Sequence, residues 1–212
     1  MRGALAILFF ASLVAAEVID RIAATVDNQV ITASEIDEAV RVAAFLNGEK
    51  PDLGPAVRRR MADRLIEQVL VRREMRLTRF PEASAADIAE ALKQLKARYG
   101  GEARFQDELA ADKLSEAQVA SALGRQITLL RFIDLRFRPE VQVQDGEVQQ
   151  YYDTVFLPQI RAKGIKPEPS FDEARAQCEQ AVAARLVDKR VDAWLAEART
   201  RARIVYDEDA FR

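Results

Sequence analysis

Three residue pairs divide this sequence into helices before any other feature is weighed. Thr32 and Glu35, Ser115 and Gln118, and Ser170 and Glu173 each stand three positions apart. At that spacing the hydroxyl accepts from the backbone N–H three residues on. The longer side chain reaches back to the first backbone N–H, and two otherwise orphaned donors are satisfied. Apolar residues follow at intervals of three to four, the period of a helix with one buried face. After Thr32 that face is Ile36, Val40 and Ala43, stopped by Asn47 to Pro51. After Ser115 it is Val119, Leu123, Ile127, Leu130, Ile133 and Phe137, ended by Pro139. The helix opened by Ser170 extends to about Arg203 and carries Val187, Val191, Trp194 and Ala198.

The same period predicts further helices. One spans Pro55 to Leu77, with Val57, Met61, Leu65 and Val69 inward and Arg58, Arg59, Asp63, Arg72 and Arg73 on the wet face. Ser84 opens another with Ile88, Leu92, Leu95 and Tyr99, stopped by Gly100-Gly101. Phe105 and Leu109 mark a short one, and Glu147 to Phe156 a last one with Val148, Tyr151, Tyr152 and Val155 on one side. Pro158, Gly164, Pro167 and Pro169 mark residues 158–169 as a connector. Two β-prone runs, Ile22 to Val26 and Val30-Ile31, flank Asp27-Asn28-Gln29 and read as a hairpin. An isolated hairpin is marginal in water, so Ile204-Val205-Tyr206 is expected to join it as a third strand. The expected fold is mainly α, a multi-helix module with a small β patch.

Composition narrows the chemistry. Among 212 residues there is no histidine, which removes the usual general base near neutral pH and the commonest nitrogen metal ligand. The single cysteine, Cys178, makes neither an intramolecular disulfide nor a zinc cluster. No glycine-rich phosphate loop is present, so no ATP site is expected. A net charge of −2 gives no drive toward nucleic acid or an anionic membrane. No cofactor, no metal and no catalytic residue is expected.

Residues 1–16 have the pattern of a secretory signal: Arg2, the apolar run Ala4 to Val14, then Val14-Ala15-Ala16. The run is shorter than the ~20 residues that span a bilayer. Cleavage is expected between Ala16 and Glu17, which places residues 17–212 in the periplasm with no stable membrane insertion.

Three segments carry a resemblance. Ile19 to Glu35 (IDRIAATVDNQVITASE) closely resembles the mature N-terminus of SurA-type periplasmic chaperones. Asp145 to Tyr152 (DGEVQQYY) is similar to the acidic-aromatic helix start that precedes the parvulin isomerase domain in that family, and Lys189 to Arg199 looks like its closing helix. The resemblance implies one chaperone domain over 17–212: N-terminal helices at 17–157, the connector, then a closing helix and strand at 170–212. It also implies unfolded polypeptide clients, outer-membrane proteins above all, held without ATP. One departure is large. The interval Asp153 to Pro169 cannot hold a parvulin domain of about 100 residues, and the parvulin histidines are missing. A non-catalytic holdase is therefore expected. The alternatives are an isomerase-family protein with a residual foldase role and an envelope adaptor for one folded partner.

Within that expectation Tyr151 and Tyr152 are the candidate client-binding residues, although adjacent tyrosines on a helical stripe are more often core. Trp194 and Cys178 read as core as well. The arginine runs at 58–60 and 72–73 and the acidic run at 207–209 read as solvated surface.

Overall fold

The computed structural model describes residues 20–212; the expected signal segment and its Ala16–Glu17 junction lie outside them. In chain order the elements are β1 (Ile22–Val26), β2 (Gln29–Thr32), α1 (Ala33–Asn47), α2 (Pro55–Leu77), α3 (Ala85–Arg98), α4 (Glu102–Ala111), α5 (Glu116–Phe137), α6 (Asp145–Tyr151), a π-helical turn (Tyr152–Phe156), α7 (Leu157–Ala162), α8 (Phe171–Arg201) and β3 (Ile204–Tyr206). Short 3-10 turns cover Arg138–Glu140 and Glu208–Phe211. The fold is mainly helical with a small antiparallel sheet, ordered β2-β1-β3.

All three pairs of the capping signature form reciprocal caps, and Ser84 with Asp87 adds a fourth. Asp87 also takes a two-pronged bond from Arg131 of α5, at 2.8 and 2.7 Å, so the cap of α3 doubles as its tie to α5. Gly48 closes α1 at φ 71°, a left-handed conformation that a side chain would strain.

The sheet joins residues far apart in sequence. Val26, Thr25 and Ala24 pair with Gln29, Val30 and Ile31 on one side, and with Ile204, Val205 and Tyr206 on the other. A bulge between Ile22 and Ala24 turns both Ala23 and Ala24 inward, and both are buried. Asp27 fastens the hairpin tip. Its N–H donates to the Arg203 carbonyl at 2.9 Å, and its carboxylate accepts from the Arg203 N–H at 2.9 Å and from Arg73 at 3.0 Å.

Among the described residues four apolar clusters make up the core. The first lies under the sheet, with Ile36, Val40, Ala62, Ile66 and Phe211. The second gathers Phe45, Leu95, Phe105, Leu109 and Val119 from α1, α3, α4 and α5. The third joins Val71 and Met75 of α2 to Phe132, Phe137 and Val187. The fourth holds Val148, Tyr152, Phe156, Ala174 and Cys178. α8 ties three of them together: over its 31 residues, about 46 Å at 1.5 Å per residue, it passes the fourth, the third and the first in turn.

Three local readings need correcting. α5 buries a second face, Gly124, Thr128 and Phe132, which packs on α3. A Cβ at Gly124 would come within 2.9 Å of the Ile88 side chain. The Thr128 hydroxyl donates to the Gly124 carbonyl and accepts from the Ala83 N–H. Two arginines of the 58–60 run are structural: Arg58 pairs with Asp37 at 2.7 Å, and Arg59 lies 3.5 Å above the Tyr206 ring while pairing with Glu208 at 3.0 Å. The connector is partly helical, because α7 runs through Pro158. The Leu157 N–H bonds back five residues to the Tyr152 carbonyl. A proline ring clashes with the carbonyl four residues before it in an α-helix, and the wider π-turn lets the chain pass Pro158.

Candidate functional site

The long stripe predicted on α5 is covered at both ends and open in its middle. Val119 is fully buried and Leu123 partly so, under Phe45, Phe105 and Leu109. At the far end Phe137 is buried and Ile133 partly so, against Val187, Val191 and Trp194 of α8. Between these ends Ile127 is only half-buried, Leu130 is 57% exposed, and neither joins a core cluster. The cause is geometric. α1 and α4 cover one end of a 22-residue helix, α8 covers the other, and α3 packs on the opposite face at Gly124 and Thr128, which leaves Leu130 largely uncovered.

A second apolar surface lies on the sheet. Alternation along the strands directs Val30, Thr25 and Val205 away from the core, one on each strand and in register. Val30, Val205 and the neighbouring Ile22 are each 49% exposed.

Tyr151 and Tyr152 have different surroundings. Tyr152 is buried, stacks on Phe156 with ring centres 5.8 Å apart, and donates its hydroxyl to the Pro169 carbonyl at 2.7 Å. Burial pushes its phenol up, with the charge of Asp153 adding to the effect. It is part of the fourth cluster and offers no free face. Tyr151 is half-buried and lines a small cleft of about 100 Å³ with Phe156, Gln159, Ile160, Lys163, Gln177 and Ala181. The guanidinium of Arg185 lies 4.5 Å from its ring centre. A shallower groove of about 330 Å³ lies along another side of α8, between Val143, Arg138, Ala176 and Ala183.

Cys178 is fully buried in the fourth cluster, where burial raises its thiol. Trp194 packs edge-on against Phe137 at 5.9 Å. Among the described residues no group of His, Cys, Asp or Glu is placed to hold a metal ion. No helix among them is long and apolar enough to cross a membrane. Sequence reasoning missed the cleft, because its walls meet only when the π-turn folds α7 back along α8. Tyr151 is the one residue of the cleft that the sequence singles out.

The chain matches no known protein-family model, and no curated protein matches it in sequence.

Proposed function

We propose that this protein is an ATP-independent periplasmic holdase, a SurA-like chaperone module without an isomerase domain, whose clients are unfolded outer-membrane proteins. The observation that carries the reading is the open middle of the α5 stripe. A helix face that is apolar from Val119 to Phe137, sealed at both ends, half-covered at Ile127 and exposed at Leu130, offers unfolded chains a place to bury side chains without a sequence code. Each contact gains about 25 cal/mol per Å² of apolar area removed from water, so single contacts are weak and release needs no nucleotide. The apolar outer face of the sheet supports the same reading. The role is non-catalytic, in keeping with a chain that has no histidine.

The test is light scattering while a denatured outer-membrane protein is diluted into buffer with the mature chain. Scattering falls, and it falls nearly as far at high salt, since apolar contacts are little screened. Leu130→Asp, at an exposed position, keeps the helical circular dichroism and loses at least half of the suppression. Suppression that vanishes at moderate salt overturns the apolar mechanism. No suppression at any ratio, with one folded partner recovered in fixed stoichiometry from the envelope, replaces the holdase with an adaptor.

A further inference from the structure

The cleft beside Tyr151 exists because of the π-turn. In an α-helix, residues five apart point about 140° away from each other; the wider π-turn narrows that angle, and Tyr151 and Phe156 come to line one wall. α7 adds Gln159, Ile160 and Lys163. The opposite wall is one face of α8, where Gln177, Ala181 and Arg185 follow one another at four-residue steps. The floor is apolar: Phe156, Ile160 and Ala181. The rim carries two amides and one cation, Gln159, Gln177 and Lys163, and Arg185 lies over Tyr151 just beyond it. No carboxylate lines the cleft, and neither Lys163 nor Arg185 has an ion-pair partner among the described residues. The cleft joins an apolar floor to amides that can bond a peptide backbone and to an uncompensated positive rim.

We propose that this cleft is a peptide pocket that takes one valine- or leucine-sized side chain of an extended client segment, with a neighbouring client carboxylate between Lys163 on the rim and Arg185 just beyond it. Size sets the first half: an apolar cavity of about 150 Å³ takes benzene, and the smaller space here, about 100 Å³, suits an aliphatic side chain. Charge complementarity sets the second. The inference rests on the holdase reading and gives one contact point of that surface a chemical preference, for apolar residues beside acidic ones.

Fluorescence anisotropy with a fluorescein-labelled peptide, Gly-Ser-Leu-Glu-Ser-Gly, tests it on the mature chain. Replacing Leu by Ala in the peptide weakens binding about tenfold, as loss of a partly buried aliphatic side chain does. Replacing Glu by Lys weakens it up to about fivefold, the range of an exposed ion pair. Ala181→Phe fills the cleft and abolishes binding. Lys163→Glu, at an exposed position with no ion pair among the described residues, keeps the helical circular dichroism and reverses the preference between the Glu and Lys peptides. Equal affinity for all three peptides, or parent-like binding by both variants, overturns the pocket; if the parent still suppresses aggregation, the holdase reading stands. A parent that binds no peptide and suppresses no aggregation overturns both.

Discussion

The two ends of α8 are built differently. At its C-terminal end the helix runs into a clamp. The Tyr206 hydroxyl donates to Asp63 at 2.6 Å and accepts from Arg199 at 3.1 Å. Arg199 also reaches Asp63 and Glu67, and Arg59 covers the Tyr206 ring. Beneath this network lies the largest cluster, fed by the sheet, α1, α2 and the Glu208–Phe211 turn. At its N-terminal end α8 packs on α6 and the π-turn around one small cluster, with α7 and Val143 beside it, and its tie to α6 is an exposed ion pair, Arg175–Asp145. One continuous helix thus joins a many-layered, hydrogen-bonded end to a thin one. Local opening follows the number of buried contacts, so the end that carries the cleft is the end able to adjust to a bound peptide.

Core truncations at the two ends break this comparison most severely. Ile66→Ala, in the fully buried centre of the first cluster, costs about 4 kcal/mol of global stability in urea unfolding. Phe156→Ala removes a larger side chain from the thin end, yet its main effect is faster hydrogen exchange confined to α6, α7 and the first turns of α8. A drop in global stability equal to that of Ile66→Ala would show that the two ends unfold as one unit.

A smaller effect sharpens the picture of the clamp. Tyr206→Phe keeps the ring under Arg59 and deletes the hydroxyl shared by Asp63 and Arg199. The expected cost is about 1.5 kcal/mol, typical of a hydrogen bond to a charged group at a partly solvated site. Paired with Asp63→Asn in a double-mutant cycle, it should show coupling, because the two groups touch.

The smallest expected effect concerns acid. The side-chain bond from Arg131, then that from Ser84, holds the Asp87 carboxyl well below the usual carboxylate range. A depressed folded value means that the stabilisation is present above the ordinary carboxylate value near 3.9 and is lost as pH falls below it. Asp87→Asn should therefore melt slightly below the parent at pH 7, and the gap should begin to close as pH falls below about 3.9 and keep closing toward the depressed folded value. A gap that widens on acidification would contradict the α3–α5 tie.

Much of the backbone plan was legible in the sequence because it depends on local chemistry. The caps at Thr32, Ser115 and Ser170 act over three residues, Pro55 opens α2 where a missing N–H costs nothing, and Leu77 ends it as the periodicity required. The third strand was legible for a different reason: a two-stranded hairpin is marginal in water and Ile204–Tyr206 was a β-prone run with no other partner, and the observed register pairs it with β1. Site geometry was much less accessible. Periodicity found the most apolar face of α5 and passed over Gly124, Thr128 and Phe132, since a glycine and a threonine look like neither core nor contact until Ile88 and Ala83 are placed against them. Which stretch of the apolar face stays bare depends on where α1, α4 and α8 stop along α5, and no local pattern encodes that. The same holds for the neighbouring tyrosines. Both are aromatic and both lie on the expected stripe, yet the turn that accommodates Pro158 carries Tyr152 into the core beside Phe156 and leaves Tyr151 at the mouth of the cleft. By itself the sequence determined helix starts, helix stops and strand partners, because those follow from hydrogen-bonding groups within a few residues of one another. Tertiary structure alone decided which apolar surface is covered and which stays open, because burial is a property of the neighbours a side chain finds across the fold.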